Sequence, residues 1–319
     1  MKWLKYLFNL SVLALVAWGI YSTVDRAMGQ LEAKQFHWEL NSAWLVLSGL
    51  LYLVGLLPMA AFWFRCLRAL GERPRILETI RAFYVGSLGK YVPGKALVVV
   101  MRAGLLRSSR VSTSGAAVSV FLETLTMMAV GAFLSLLMMA IWLNEHLHQH
   151  PYLFPLAGGL LLLAGLPTLP PLFKRLVLLS GTRRADPDIE NRLSGITWPL
   201  VTSGWIMVSF GWLVLSLSLW SVLRAMGIEG IDLAADLPYF LAAVGLAMVA
   251  GFLSLIPGGA GVREFILMVI LGHYYLGNHL SSDFPDVKAL AAAVILRLAW
   301  LTAELILCAV LFLGVRKKS

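Results

Sequence analysis

Residues 87–102 read SLGKYVPGKALVVVMR, an apolar segment cut by Pro93-Gly94. Arg65, Arg68, Arg73, Arg75 and Arg81 precede it, and Arg102, Arg107 and Arg110 follow it. Loops rich in Lys and Arg stay on the cytoplasmic side of a membrane, so both flanks belong on that side. The segment, about 82–101, is therefore expected to enter the bilayer, break at Pro93-Gly94 and return. Pro93 has no backbone donor and disfavours helix at Val92, while Gly89 and Gly94 permit unusual backbone angles. Irregular backbone at membrane depth is tolerated only where protein or water covers it, so the break is expected to line a cavity.

A second break reads SLIPGGAGVREFILMVI over residues 254–270. The apolar segment around it, 237–277, has acidic flanks poor in Lys and Arg: Glu229, Asp232 and Asp236 before, Asp283 and Asp286 after. Those flanks point outside, and the segment is read as entering from that side and returning at IPGGAGVRE. It is also long enough for the competing picture of two full spans joined by a cytoplasmic break.

The rest of the chain supplies full spans. Hydrophobic residues make up 59% of the 319 residues and charged ones only 13%, with a mean hydropathy of +0.81. A soluble domain carries about 25% charged residues. Stretches near 6–24, 43–64, 114–143, 152–173, 196–223 and 289–315 come close to or exceed the roughly 18–20 apolar residues that cross a hydrocarbon core. The first resembles a signal peptide with its basic start, but its apolar run is long and no A-x-A cleavage site follows, so it is read as an uncleaved span. The fold class expected is all-α: a polytopic membrane protein of about six spans plus two Pro/Gly-broken re-entrant hairpins.

Sidedness divides this single membrane domain, 1–319, into halves. Lys2 and Lys5, the clusters around the first break, the 174–192 loop and the Arg316-Lys317-Lys318 tail all carry positive charge. Both termini are thus expected in the cytoplasm. Residues 1–150 read span, span, hairpin, span from inside; residues 151–319 read the same from outside. That is an inverted-topology repeat, in which interrupted segments at corresponding positions mark the binding site. The net charge of +9 does not indicate nucleic acid, because the basic residues sit in short loops where they set orientation and meet anionic headgroups.

The breaks also hold the chemistry. A helix restarting at Pro93 directs free amides at the gap, and Lys90, Lys95 and Arg102 add positive charge, an arrangement suited to an anion. The competing reading is a structural kink whose lysines snorkel to the interface. At the second break small residues let the backbone approach a ligand, Arg263 suits a phosphate and Glu264 suits a helix N-terminus. There the competing reading is a local Arg–Glu pair. Gly89 to Lys95 matches the spelling of a phosphate-binding NTPase loop, but Ala96 replaces the magnesium-binding Ser or Thr and no strand precedes it. Glu123, Arg297 and Glu304 are charges inside spans, functional candidates or buried ion partners. Arg297 and Glu304 share a helix face about 10 Å apart, too far to pair directly. His146, His148 and His150 alternate in an outer loop, a weak metal pattern best read as solvated. The eleven tryptophans lie mostly near span ends, as Trp3, Trp38, Trp142 and Trp198 do, which suits interfacial anchoring. Cys66 and Cys308 read as packing residues. No nucleophile elbow, HExxH or soluble carboxylate pair is present; no enzyme activity, cofactor or metal is expected.

SLGKYVPGK followed by Arg102, with PGGAGVRE in the second half, resembles the lysylphosphatidylglycerol synthase transmembrane-region family, the flippase-like membrane proteins. The resemblance covers essentially the whole chain. It places Gly89, Lys90, Tyr91, Pro93, Gly94 and Lys95 on the first motif and Arg102 on the arginine after it. Pro257, Gly258, Gly259, Gly261, Arg263 and Glu264 fall on the second, and Glu123 on a glutamate common in the following span. There the family often continues Glu-Arg and then an aspartate; this chain has Thr124 and no aspartate nearby, so its charge network is expected to differ. Synthase members add a soluble aminoacyl-transfer domain, whereas this chain stops at Ser319, just past its last span, and is not expected to transfer lysine from tRNA by itself.

The resemblance and the breaks together imply an inner-membrane lipid flippase that holds an anionic headgroup, phospholipid or polyprenyl phosphate, between two broken helices. The alternatives are a non-transporting partner that presents lipid to a glycosyltransferase or lipid-modifying enzyme, and an intramembrane enzyme acting on a lipid phosphate.

Overall fold

The computed structural model describes residues 40–91, 96–106, 110–143, 150–254, 259, 261–280 and 284–316. The expected first span, Pro93, Gly94, Lys95, Pro257, Gly258, His146, His148, Trp3 and Trp38 lie outside them. The described residues fold as helices, with no strand among them. Asn41 starts α1 (Ser42–Ala69) by accepting the Ala43 N–H at 3.0 Å. Val46, Leu50, Val54 and Leu57 form an exposed stripe along one face, at the spacing of a helix that meets lipid. The opposite face buries Tyr52, Met59, Phe62 and Trp63.

α1 packs on α7 (Trp198–Ala225). Here Gly55 and Gly211 meet: a Cβ on Gly211 would stand 2.7 Å from the Gly55 carbonyl oxygen. Ser48 and Ser218 bond at 2.8 Å in the same seam, and the Ser221 hydroxyl donates to the Trp44 carbonyl at 2.7 Å. Small residues and hydroxyls are the natural contacts where lipid removes the hydrophobic drive between helices.

Among the described residues five helices are long and apolar enough to cross a membrane: α1, α4 (Thr113–Trp142), α7, α8 (Leu233–Leu253) and α10 (Pro285–Arg316). The stretch expected as a span at 152–173 is bent. α5 (Leu153–Gly165) and the 3-10 turn after it meet α6 (Pro170–Leu179) at a bend of 77°. Pro167, Pro170 and Pro171 explain it, since each removes a backbone donor and crowds the preceding turn. Counted as one broken span, the pair makes a sixth candidate among the described residues.

The two interrupted segments differ in size. The first is α2 (Ile76–Ser87), a 3-10 turn (Leu88–Tyr91) and α3 (Ala96–Leu106), two short arms side by side. A Cβ on Gly89 would stand 2.7 Å from the Val98 nitrogen, which shows how closely the arms approach. In the second, α8 alone is 21 residues, long and apolar enough for a span, which is the length the two-span alternative needs. α9 (Val262–Leu267) follows the break and continues as a π-helix, Met268–His279. Tyr275 donates to Asp236 at 2.8 Å and His279 bonds it at 2.9 Å, fastening the end of this arm to the start of α8. Asp236, read in sequence as an outer-flank charge, is buried by those contacts.

Candidate functional site

A cavity of about 340 Å³ lies between the two interrupted segments. α1, α4 and α8 supply an apolar wall that includes Leu56, Val120, Met128 and Phe252. Into it reach Lys90, Arg102 and Glu123 from the first half and Arg263 with Gly259 from the second. The structure thus brings both sequence motifs to one space.

Arg102 crosses α2 where Gly86 has no side chain; a Cβ there would meet its Cγ at 2.4 Å. Its guanidinium lies over the Phe83 ring at 4.0 Å and the Trp63 ring at 5.3 Å. It donates to Glu123 Oε2 at 2.6 Å and to the Ser87 hydroxyl at 3.1 Å. Glu123 is 1% exposed, and its Oε1 has no hydrogen-bond partner among the described residues.

Lys90 pairs with Glu304 of α10 and donates to Tyr52 Oη at 3.0 Å. Tyr52 in turn donates to Glu304 Oε1, and Tyr91 donates to Oε2 at 3.0 Å. Trp300 stacks on Tyr52 at 4.5 Å. Glu304 therefore has both oxygens served, and a lysine between two tyrosine rings beside it.

Arg263 lies across Gly251 of α8, where a Cβ would meet its Cγ at 2.5 Å, and its guanidinium contacts the Met248 sulfur. In place of the local Arg263–Glu264 pair of the competing reading, Glu264 makes a longer link, to Arg297. Glu264 Oε1 accepts from Arg297 of α10 at 2.5 Å, and Oε2 accepts the Gly261 N–H at 2.7 Å. Gly261 and Gly259 have φ of +84° and +68°, angles that favour glycine. Glu264, as the sequence suggested, caps the N-terminus of α9. Arg297 and Glu304 do not pair with each other, as their spacing required, and Arg297 stands behind the cavity rather than in its wall.

The sequence reading missed Tyr52, Ser87, Trp63 and Trp300. Tryptophans at 63, 212 and 300 are buried and donate to Ser119, the Met127 carbonyl and Ser218 at 2.9, 3.0 and 2.7 Å. Trp142 and Trp198 are exposed, as anchors would be. A polar link was missed as well: Arg192, at the end of the 174–192 loop, reaches Glu72 at 3.0 Å and Asp186 at 3.1 Å, and Ser114 donates to Asp186 at 2.6 Å. Beside that link lies a larger cavity of about 950 Å³ whose wall shares Phe121 and Leu125 with the first.

His150 lies against the rings of Tyr152, His273 and Tyr274. Burial and the neighbouring His273 pull it below its ordinary value. Among the described residues no three His, Cys, Asp or Glu gather as a metal set. Cys66 and Cys308 are buried and free.

The family described as lysylphosphatidylglycerol synthase TM region matches residues 6–308, nearly the full chain. No curated protein matches it. The chain belongs to that family and is a multi-pass helical membrane protein.

Proposed function

We propose that this member of the lysylphosphatidylglycerol synthase transmembrane-region family binds the anionic headgroup of a lipid in the cavity between its two interrupted segments and moves it across the inner membrane. One observation carries the reading: Lys90, Arg102 and Arg263, from two distant parts of the chain, enter one space whose wall is largely apolar and holds a single carboxylate, Glu123. Cations in a low-dielectric pocket favour an anion far more than exposed ones do. The phosphate of a phospholipid or a polyprenyl phosphate fits that demand.

The tail remains in lipid. Phe121 is 53% exposed and, with Leu125, stands between the two cavities, so this side of α4 gives a chain a route outward. Both termini lie in the cytoplasm, the halves 1–150 and 151–319 act as inverted repeats, and their rocking exposes the site to each side in turn. No bond is made or broken.

The test is movement of headgroup-labelled lipid in liposomes containing the pure protein, across phosphatidylglycerol, its aminoacyl form and polyprenyl phosphate. Wild type is expected to move at least one of them, and Lys90→Ala and Arg263→Ala to lose most of that rate. Unchanged movement in both variants removes the site assignment. No movement by folded protein transfers the reading to lipid presentation for a glycosyltransferase or lipid-modifying enzyme.

A further inference from the structure

Resting on that headgroup reading, we propose that Glu123 takes up one proton when an anion binds at Arg102, so that the protein loads anion and proton together. Arg102 and Glu123 form a buried pair whose side chains are 6% and 1% exposed. A phosphate that engages the Arg102 guanidinium competes for the donor held by Glu123 Oε2. The other oxygen, Oε1, already lacks a hydrogen-bond partner among the described residues, in a residue that lines the cavity. Once displaced, the carboxylate keeps only the Thr124 hydroxyl, at 3.2 Å. A buried carboxylate so poorly served is stabilised by protonation. The proton comes from water and adds to the carboxylate; the anion adds one negative charge. The loaded cavity then has the same net charge as the empty one.

The second carboxylate near the cavity behaves differently. If Lys90 turns to the ligand, Glu304 keeps hydrogen bonds to both oxygens, from Tyr52 and Tyr91, so nothing is left for a proton to replace. The groups around Glu123 leave the proton there. Arg102 faces it from α3, Cys66 with Arg65 beyond it from α1, and Lys90, Tyr52 and Arg263 share the cavity. α8 contributes Met248, Gly251 and Phe252 to the wall, α5 has no titratable residue, and the one in α7, Arg224, is at its far end beside Trp44.

The experiment is titration calorimetry of the full chain in detergent with dihexanoylphosphatidylglycerol, a phosphodiester that does not itself titrate near neutrality. Heats are compared in two buffers of different ionisation enthalpy at pH 7. Wild type is expected to take up about one proton per anion. Glu123→Gln should bind with about none, and Glu304→Gln should retain the wild-type count. Binding by wild type without buffer dependence overturns the proton linkage and leaves the headgroup site standing. No binding heat, with protein shown folded by its thermal transition, removes both.

Discussion

In the first interrupted segment the returning arm supplies an arginine, Arg102, to a glutamate on the following helix, Glu123. In the second the returning arm supplies a glutamate, Glu264, to an arginine on the following helix, Arg297. The parts correspond, with the charges exchanged. Both entering arms use a glycine, Gly86 or Gly251, to let an arginine lie flat against them. The two carboxylates are served unequally. Glu264 has each oxygen bonded, one by Arg297 and one by the Gly261 amide, whereas Glu123 leaves Oε1 without a hydrogen-bond partner among the described residues. The difference teaches that the second link holds the turn and the first is built to exchange partners.

Breaking each pair on one side is the strongest way to test that contrast. Arg102→Met strands a buried carboxylate and is expected to cost about 3–5 kcal/mol of stability, read from unfolding in mixed micelles. Arg297→Met should cost less, because Glu264 keeps the Gly261 N–H. Replacing both members, Arg102→Met with Glu123→Leu, should recover most of the loss, since a packed apolar pair needs no partner. Equal losses for the two single arginine variants would erase the distinction between a holding and an exchanging link.

The glycines sharpen the likeness rather than the difference. Gly86→Ala and Gly251→Ala each push a Cβ into an arginine Cγ, at 2.4 and 2.5 Å, and should cost about 1–3 kcal/mol. Gly104 has open space where its Cβ would go, so Gly104→Ala on the first returning arm should be neutral or slightly stabilising. Similar losses at 86 and 251, with none at 104, fit a shared packing device; a loss at only one of them breaks the parallel.

Much of this was legible in sequence for plain physical reasons. Long apolar runs and basic loops announce spans, and Lys90, Arg102, Glu123, Arg263 and Glu264 are conspicuous because charge is expensive in lipid. What sequence hid were partners distant in the chain. Nothing about Tyr52, in an apolar run, says that it meets Glu304, and Trp63 and Trp300 look like any other tryptophan until the helices pack. The bend at Leu169 was spelled by three prolines, yet the apolar count over 152–173 overrode them. Arg263 and Glu264 are neighbours in sequence, but consecutive side chains on a helix point apart, so Glu264 found Arg297 instead.

The smallest expected effect probes why Glu304 differs from Glu123. Tyr91→Phe removes one hydrogen bond at 3.0 Å while Lys90 and Tyr52 remain, so the stability loss should be about 1 kcal/mol. The proton count on anion binding should stay at about one. Adding Tyr52→Phe leaves Glu304 with Lys90 as its remaining hydrogen-bond donor among the described residues. An anion that then draws Lys90 away creates the situation that Arg102 leaves for Glu123. The double variant is therefore expected to take up close to two protons per anion in the same two-buffer titration. A count that stays at one in the double variant would mean that the tyrosine hydrogen bonds are not what sets Glu304 apart, and that the contrast between the two carboxylates has another source.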